Sequence, residues 1–247
     1  MEPASGAEGL TSSPSAVGVV LAAGLGTRVG ADGNKAHLQL AGRSMVSWSV
    51  AAVASTPGID RTVLVYRRGE RELVAGTLQA ELPTVRVELV EGGETRHGSE
   101  WNVLSYLSAD VTSGAVDVVL IHDAARPLAR PELVATALAT ARKFGGAIPA
   151  IPADDVVHVG SDGMVPGGTL VRVQTPQAFR AQPLLEAYRQ AQAAGVEGTD
   201  TSSCVERFTD VEVRTFPGAS TNLKVTYPED VLVAARLLHE LVSDGTR

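Results

Sequence analysis

The sequence predicts an α/β protein built on a doubly wound, Rossmann-like and mostly parallel sheet. Short apolar runs alternate with amphipathic, helix-like segments from residue 17 to residue 151, and this alternation is typical of such sheets. Aromatic residues make up only 4% of the 247 residues, so the core must be built from Val, Ala, Leu and Ile. That composition suits buried parallel strands covered by Ala-rich helices.

Hydrophobic periodicity and turn residues place the individual elements. The predicted strands are residues 17–22, 61–66, 85–90, 116–121, 146–151, 211–215 and 222–226. The predicted helices are residues 45–55, 70–79, 98–107, 131–143, 183–193, 200–208 and 228–241. The segment from 152 to 174 breaks the alternation and indicates a protruding β-arm. We therefore expect a disordered N-terminus at residues 1–15 and a single domain at residues 16–247, with the arm at about 152–174.

Composition argues against several classes of protein. The formal net charge of −7 disfavours a nucleic-acid-binding protein, because such proteins neutralise phosphates with Lys and Arg. The single cysteine, Cys204, excludes an intramolecular disulfide framework and a cysteine zinc cluster. No run approaches the ~20 apolar residues of a membrane span, and residues 1–15 lack the basic and apolar parts of a signal peptide. We expect a cytoplasmic protein with no nucleic-acid or membrane partner.

A Gly-rich segment at residues 21–28 (LAAGLGTR), followed by Lys35, forms the first candidate binding site. Arg28 can bind phosphate oxygens through its planar guanidinium, and Lys35 can bind them as a mobile point charge. The spacing fits neither the dinucleotide-binding fingerprint nor a P-loop. Taken alone, the segment is also compatible with a purely structural turn whose Arg and Lys side chains are solvated and bind no phosphate. The small residues that let backbone N–H groups surround an anion are Ala22, Ala23, Gly24 and Gly26.

Five segments together resemble a known family. The first resembles the L-A-A-G-x-G-x-R signature of nucleotide-sugar pyrophosphorylases, in which a lysine follows. The other four are similar to motifs of the 2-C-methyl-D-erythritol 4-phosphate cytidylyltransferase family and its ribitol-phosphate relatives, in the family's order. They are residues 92–99 (GGETRHGS), 119–127 (VLIHDAARP), 174–179 (QTPQAF) and 222–230 (NLKVTYPED).

This resemblance implies a nucleotidyltransferase fold and a defined reaction. The enzyme would move CMP from CTP to a small polyol phosphate and release pyrophosphate. The first candidate acceptor is 2-C-methyl-D-erythritol 4-phosphate, in the isoprenoid precursor pathway. The resemblance covers residues 17 to about 241, so it concerns nearly the whole chain.

The resemblance also implies roles for individual residues. Arg28 and Lys35 fall on the family's two cations that stabilise the transition state. Asp123 falls on the acidic residue near the ribose, the metal and the second substrate, and Lys224 falls on the lysine that holds the acceptor phosphate. The remaining nucleotide-binding positions, around the cytosine and beside the acidic residue, are Gly93, Glu94, Arg96, Ser99 and Ala124.

Mg²⁺ is the expected cofactor, because it binds phosphate oxygens together with one or two carboxylates. Asp123 ends a predicted strand beside the phosphate loop, so we expect it to be a catalytic residue and the metal ligand. The structural alternative is a helix cap or turn former for Asp123, and a solvated strand lysine for Lys224. We interpret His122 as structural, since no second or third metal ligand lies at a recognisable spacing.

The arm departs from the family pattern. The family reads x-P-x-x-D-T-I/V-K there, whereas residues 151–158 read IPADDVVH, so Val156 replaces the threonine and His158 the lysine. Gly167 stands seven residues before Gln174, where the family has an arginine that reaches the neighbouring subunit's acceptor phosphate. Loss of a bidentate guanidinium contact weakens phosphate binding. The nucleotide half is therefore intact, and the acceptor half is altered.

Three interpretations of function stay open. One is a cytidylyltransferase whose acceptor is methylerythritol phosphate, or else another alcohol phosphate or phosphonate. Another is a catalytically impaired, nucleotide-binding regulatory homologue, which the retained Arg28, Lys35, Asp123 and Lys224 oppose. A third is the use of UTP, which residues 92–99 disfavour.

The resemblance also implies a homodimer. In the family the arm exchanges between two subunits, and this chain keeps a segment of that length. Gly167 has no arginine beside it that obviously substitutes, and Arg172 could do so only in a shifted register. The sequence therefore leaves open whether the altered arm completes the neighbouring site.

Overall fold

The computed structural model describes residues 15–24, 26, 34–155, 170–198 and 200–244. Its strands are β1 (Ser15–Leu21), β2 (Gln39–Leu40), β3 (Arg43–Ser44), β4 (Ile59–Tyr66), β5 (Glu88–Glu91), β6 (Val116–Asp123), β7 (Gly145–Pro152), β8 (Val171–Val173), β9 (Gln177–Arg180) and β10 (Glu212–Pro217). Its helices are α1 (Met45–Ala54), α2 (Arg71–Glu81), α3 (Arg96–Tyr106), α4 (Ser108–Thr112), α5 (Pro131–Phe144), α6 (Ala181–Ala194), α7 (Thr201–Phe208) and α8 (Pro228–Asp244), and a 3₁₀ turn spans Lys35–His37.

One sheet of eight strands forms the centre of the described structure, in the order β10-β7-β9-β6-β1-β4-β5, with β8 paired to β7. β1 lies inside the sheet and pairs in parallel with β4 and β6. The pairs β4–β5 and β7–β10 are parallel as well. β9 runs antiparallel between β6 and β7. The predicted mostly parallel α/β fold is confirmed, with β8 and β9 as its antiparallel members.

Helices cover both faces of the sheet, because successive side chains of its central strands point to opposite sides. Along β1, Ala16 and Val20 belong to an apolar layer with α1, α2 and α5. Val17 and Val19 belong to a second layer with α3, α4, α6 and α7. Burying one Val side chain contributes about 1.5–3 kcal/mol. β1 is thus packed on both faces, and this packing fixes the position of its carboxyl end, where the next loop begins.

A third apolar cluster attaches α8 to the rest of the fold. Leu40 of β2 and Met45 of α1 belong to it together with Val225 and with Ala234 of α8. The backbone N–H of Val225 donates to the carbonyl of Ala125, just after β6, at 2.8 Å. This packing brings a distant part of the chain to the carboxyl end of β6.

The prediction of a strand at 222–226 was wrong, because the segment forms no ladder. The backbone N–H of Val225 bonds to a loop carbonyl, that of Ala125, and the N–H of Thr226 donates to the carboxylate of Asp230 at 2.8 Å. These backbone groups therefore form hydrogen bonds with a loop and with the first turn of α8 instead of with a neighbouring strand. The short strands β2, β3 and β9 were not predicted, since their pairing depends on partners that the local sequence does not reveal.

The arm region is only partly described. β8 pairs antiparallel with the end of β7, so that Val173 lies opposite Ala150. Residues 156–169, which include Val156, His158 and Gly167, lie outside the described residues, as do residues 1–14 and 27–33. Within the part of the chain that the structure describes, no helix is both long enough and apolar enough to cross a bilayer.

Candidate active site

The loops that follow β1, β5 and β6 meet at one edge of the sheet and surround a cavity of about 370 Å³. Residues 23–35, 91–99 and 122–127 each follow a strand that the sequence predicted, and described parts of all three loops line the cavity. β1 and β6 are neighbouring parallel strands, so their carboxyl ends lie side by side. Open α/β sheets bind their ligands in crevices at this position.

Every predicted site residue within the described ranges lines this cavity. The end of β1 and its loop contribute Ala22, Ala23, Gly24, Gly26 and Lys35. The other loops and the segment before α8 contribute Gly93, Glu94, Arg96, Ser99, Asp123, Ala124 and Lys224. The remaining predicted residue, Arg28, lies outside the described residues. Distant stretches of the chain thus share one site.

Asn34 fixes the turn that carries Lys35. Its side-chain oxygen accepts a hydrogen bond from the backbone N–H of Ala36 at 3.0 Å, and this caps the 3₁₀ turn. Its side-chain nitrogen donates to the carbonyl of Ala22 at 2.9 Å and to Oε2 of Glu70 at 2.7 Å. Asn34 therefore ties the turn to the end of β1 and to the start of α2.

Gly26 and Lys35 lie in close contact across the loop. The φ angle of Gly26 is 61°, in the left-handed region that favours glycine. A Cβ at Gly26 would lie 2.5 Å from Cγ of Lys35, so only a glycine leaves room for the lysine stem. Nζ of Lys35 then reaches the carbonyl of Val225 and donates to it at 2.9 Å. The loop after β1 and the segment before α8 are joined by this contact.

Residues 92–99 fold against the loop after β1. Oγ of Ser99 accepts from the backbone N–H of Gly93 at 3.1 Å and donates to the carbonyl of Thr95 at 2.9 Å. Thr95 in turn caps α3. A Cβ at Gly92 would collide with the side chain of Ala23, so the two loops approach as closely as glycine allows. Both loops therefore form one wall of the cavity.

Asp123 is held between two cations at the carboxyl end of β6. Its Oδ1 accepts from Nη1 of Arg96, and Nζ of Lys224 lies 2.6 Å from its Oδ2. The Asp123 side chain is only 8% exposed. Burial by itself would raise the pKa of this carboxyl group, but Arg96 and Lys224 outweigh burial and hold the pKa well below its usual range. Asp123 is therefore ionised at neutral pH, with both oxygens engaged.

A buried layer beneath Asp123 ties β6 to two other segments. The N–H of Asp123 donates to Oγ1 of Thr175 at 3.0 Å, and that hydroxyl lies 3.1 Å from Nδ1 of His122. Nε2 of His122 lies 3.1 Å from the carbonyl of Arg126. Asn222 donates to the carbonyl of Thr175 at 2.8 Å. Burial lowers the pKa of His122 to about 4, so its ring is neutral at pH 7 and serves this buried layer.

Comparison with known proteins identifies the family of this chain. The family model described as 2-C-methyl-D-erythritol 4-phosphate cytidylyltransferase matches residues 16–240. The chain belongs to this family. A protein of that name from Cereibacter sphaeroides is 39% identical over 227 residues, which are 89% of this chain and 95% of the relative. Another from Solibacter usitatus is 36% identical over 246 residues, which cover 93% of this chain and 98% of the relative.

A solved structure of the same family has the same fold. The 4-diphosphocytidyl-2C-methyl-D-erythritol synthase from Anaerococcus prevotii matches with a TM-score of 0.77 and 27% identity, over 91% of this chain and 96% of that chain. The nucleotidyltransferase fold that the motifs implied is thereby confirmed. The chain is a nucleotidyltransferase of the cytidylyltransferase family.

Glu100 is a buried acidic residue that the family motifs did not single out. It lies one helical turn after Arg96 in α3 and is 1% exposed. Its Oε1 lies 3.0 Å from Nε of Arg96 and accepts from Oγ1 of Thr201 at 2.7 Å, while its Oε2 accepts from the hydroxyl of Tyr188. Burial raises the pKa of Glu100, and Arg96 opposes this effect. The only local signal was the spacing of Arg96 and Glu100 on one helix face.

Two motif residues position the segment that contains Lys224. Nη1 of Arg126 donates to the carbonyl of Asn222 at 2.7 Å. The side-chain nitrogen of Gln174 donates to the carbonyl of Ala219 at 2.8 Å. The motif strings contained Arg126 and Gln174, but their spacing gave neither a role. The structure shows that they hold residues 219–222, which lead directly to Lys224.

Arg172, considered as a replacement for the missing arginine of the arm, pairs with Asp155. Both terminal nitrogens of Arg172 donate to the carboxylate, and Nη2 lies 2.8 Å from Oδ2. The two side chains are largely exposed, at 45% and 73%. The pair joins β8 to the residues that follow β7, so this guanidinium is engaged within its own subunit.

Proposed function

We propose that this protein transfers CMP from CTP to 2-C-methyl-D-erythritol 4-phosphate and releases pyrophosphate, as a step of isoprenoid biosynthesis. The observation that supports this most directly is that Lys35, Asp123 and Lys224 line a single cavity at the carboxyl ends of β1 and β6. The relatives from Cereibacter and Solibacter bear the name of this reaction and match the chain over nearly its full length.

The nucleotide occupies the wall formed by the loop after β1 and residues 92–99. Among the described residues, no atom would lie within 4 Å of a Cβ at Gly24, so this part of the structure leaves the space above the backbone open to a ligand. Lys35 and Arg28 supply positive charge for the triphosphate. The wall for the base and ribose consists of Gly93, Glu94, Arg96, Ser99 and Ala124.

Lys224 holds the acceptor phosphate next to the α-phosphate of the nucleotide. Its side chain is 42% exposed and lines the cavity, while its Nζ lies 2.6 Å from Asp123. A phosphate can replace this carboxylate as the anionic partner of Lys224, provided that Asp123 keeps Arg96 and gains another cation. The lysine is therefore available to an acceptor without first leaving a buried position.

The reaction needs no general base, because the nucleophile is already an anion. An acceptor phosphate oxygen attacks the α-phosphorus of CTP. The new P–O bond forms as the bond from the α-phosphorus to the bridging β-phosphate oxygen breaks, and pyrophosphate leaves with that electron pair. Catalysis is then positioning together with charge stabilisation by Arg28 and Lys35.

Mg²⁺ is the proposed cofactor, bound as a complex with the triphosphate. Within the described residues, no cluster of three or more His, Cys, Asp and Glu side chains could hold a metal ion. Both oxygens of Asp123 are engaged, by Arg96 and by Lys224. Asp123 would therefore contribute at most one ligand to such an ion, and only when one of these cations moves away, so most of the ligands would come from phosphate. Such an ion would neutralise charge on the triphosphate.

A homodimer through residues 152–174 is the proposed assembly. At the described end of this segment, Leu170, Val171 and Val173 are 39%, 44% and 43% exposed. Large apolar side chains on a strand at the edge of a structure favour contact with a partner. Light scattering should give twice the chain mass of 25.6 kDa, and a mass of one chain would contradict the proposal.

Pyrophosphate release tests the reaction and separates it from its alternatives. We expect release with CTP and 2-C-methyl-D-erythritol 4-phosphate, and slower release with UTP, with ribitol 5-phosphate or with a phosphonate acceptor. If the protein uses a different acceptor, that acceptor would give faster pyrophosphate release than 2-C-methyl-D-erythritol 4-phosphate. A regulatory homologue would bind CTP and release no pyrophosphate with any acceptor.

The variant Lys35→Ala tests the role of the loop cation. Turnover should fall by orders of magnitude, roughly 100-fold or more, since charge stabilisation at the transferring phosphoryl group is lost. The melting temperature should stay close to that of the wild type. Near-normal turnover in this variant would contradict the proposed mechanism.

A further inference from the structure

Glu100 is a buried acidic residue next to the cavity, and it has no part in the reaction proposed above. It lies in α3 and receives hydroxyl donors from Tyr188 of α6 and Thr201 of α7. With 1% exposure, it is shielded from both the solvent and the cavity. A buried carboxylate is costly unless it is paired, so its presence here requires a physical explanation.

Four side chains of alternating charge run from this buried point to the cavity. Glu100 lies 3.0 Å from Arg96, Arg96 donates to Asp123, and Asp123 lies 2.6 Å from Lys224. Asp123 and Lys224 line the cavity, as does Arg96. The row thus connects the interior between α3, α6 and α7 with the side chains at the proposed reaction centre.

Arg96 lies between two carboxylates, with an ion pair on one side and a hydrogen bond on the other. Its Nε faces Glu100, and its Nη1 donates to Asp123. A guanidinium with a hydrogen bond to one carboxylate and an ion pair with another has a restricted orientation before any ligand binds. The Arg96 side chain is still 28% exposed, and it lines the same cavity as Lys35. A triphosphate in that cavity would compete with Asp123 for this guanidinium, unless another group kept the guanidinium in place.

We propose that Glu100 is a positioning residue that keeps Arg96 on Asp123 and away from the triphosphate. It acts through Arg96 and does not touch a substrate. This inference rests on the proposed function, because it assumes an anionic nucleotide in the cavity. Because Glu100 holds Arg96, Arg96 keeps the Asp123 carboxylate in position. Asp123 in turn orients the side chain of Lys224.

Loss of the Glu100 charge has opposite effects on binding and on transfer. A released Arg96 gains a charge-assisted contact to phosphate, and nucleotide binding becomes tighter. Asp123 then loses one of its two cationic partners, so Lys224 and the acceptor are misplaced. Small misplacement of reacting groups slows group transfer strongly. A residue that served stability alone would not produce this pair of effects.

The variant Glu100→Gln tests the proposal, since the amide has nearly the same shape and the hydroxyls of Tyr188 and Thr201 can rotate to pair with it. We expect kcat to fall by about 10- to 100-fold. The KM for the acceptor should rise, and the dissociation constant for CTP, measured by calorimetry, should decrease by about tenfold.

Two further variants separate positioning from packing. Tyr188→Phe removes one hydroxyl donor to Glu100 and keeps the ring that stacks on His97 at 4.7 Å, so it should show the same changes at smaller size. Cys204→Ala opens a small space among the same helices, because Cys204 is 2% exposed and belongs to the same apolar layer. This control should lower the melting temperature and leave CTP binding and KM unchanged.

A wild-type dissociation constant for CTP in Glu100→Gln, or a loss of activity that only follows its loss of folded protein, would overturn the role of Glu100. Failure of the proposed function has a different signature. In that case the wild-type protein itself releases no pyrophosphate from CTP with any acceptor. The ratio between variant and wild-type CTP affinity tests Glu100 independently of turnover.

Discussion

Nζ of Lys224 lies 2.6 Å from Oδ2 of Asp123, and this contact joins the segment before α8 to the end of β6. On its other side, the same carboxylate accepts from Arg96. A carboxylate that is 8% exposed requires such partners, because an unpaired buried charge is strongly unfavourable. Any ligand that draws Lys224 away must therefore leave Asp123 with another cation, and a metal ion bound to the nucleotide is one that fits.

The variant Asp123→Asn tests this arrangement. An amide cannot accept from both cations, so Lys224 and Arg96 lose their fixed orientation. We expect kcat/KM for the acceptor to fall by roughly 100-fold or more, as in other buried charge pairs that lose one partner. Steady-state pyrophosphate release at saturating CTP measures this effect.

Asp117 provides a matched control for the loss of an aspartate–arginine pair. It lies near the other end of β6, where its carboxylate accepts from Arg142 at 2.8 Å. Its side chain is 28% exposed and does not line the cavity. Asp117→Asn should cost less than about 1 kcal/mol of stability and leave kcat/KM unchanged. Equal losses of activity in the two variants would mean that Asp123 has no special role.

The sequence predicted the fold and the members of the site better than it predicted their contacts. Strand–helix alternation gave the parallel sheet, and the motifs gave Lys35, Asp123 and Lys224. Neither could show that Lys224 contacts Asp123, because the contact depends on packing of α8 against β2 and α1. The partners of Glu100 were hidden for the same reason, since Tyr188 and Thr201 lie on other helices.

The short strand β9 shows a second limit of predicting structure from local sequence. Its four residues, Gln177–Arg180, were interpreted only as part of a motif. Their strand pairing follows from insertion between β6 and β7, which no local pattern reveals. The opposite error occurred at residues 222–226, where a β-like composition occurs in a loop. In both places, tertiary contacts decide the backbone conformation.

The variant Gly26→Ala tests whether the loop backbone sets the position of Lys35. The left-handed conformation costs an alanine about 1 kcal/mol, and its Cβ would lie 2.5 Å from Cγ of Lys35. The lysine stem must shift, so kcat should fall by about tenfold or more. Stopped-assay measurement of pyrophosphate at saturating substrates reports this change.

Gly42 is the control for backbone strain alone. It also has a positive φ, 82°, but no atom of the described part of the chain would lie within 4 Å of a Cβ there. Gly42→Ala should lower the melting temperature about as much as Gly26→Ala and leave kcat unchanged. If both variants kept full activity, the contact between Gly26 and Lys35 would have no catalytic consequence.

Asn34 offers a test that separates capping from bridging. Asn34→Ser keeps a side-chain oxygen that can cap the turn at Ala36, but it lacks the amide nitrogen that donates to the carbonyl of Ala22 and to Glu70. Asn34→Ala removes both functions. If the bridge to the end of β1 positions Lys35, both variants should lose kcat by about tenfold, with KM nearly unchanged. Full activity in Asn34→Ser would show that capping alone is sufficient.

His122 gives the protein a stability that depends on pH. The ring is fully buried between Thr175 and Arg126, and burial lowers its pKa to about 4. In the unfolded chain the pKa of a histidine is about 6.5. Between these two values the unfolded chain binds a proton that the folded protein does not. The free energy of unfolding therefore falls as the pH decreases through this window, and His122 has no such effect above it.

The variant His122→Gln removes this titration. Relative to the variant, the wild type should lose about 3 kcal/mol of unfolding free energy between pH 7 and pH 4, which corresponds to the shift in the pKa of His122. Urea unfolding at several pH values measures both proteins, and only the difference between them is interpreted, since the other titrating groups are common to both. At pH 7 the variant should be the less stable protein, because Gln cannot reproduce both ring contacts, to Thr175 and Arg126. Parallel pH curves would show that folding does not lower the pKa of His122.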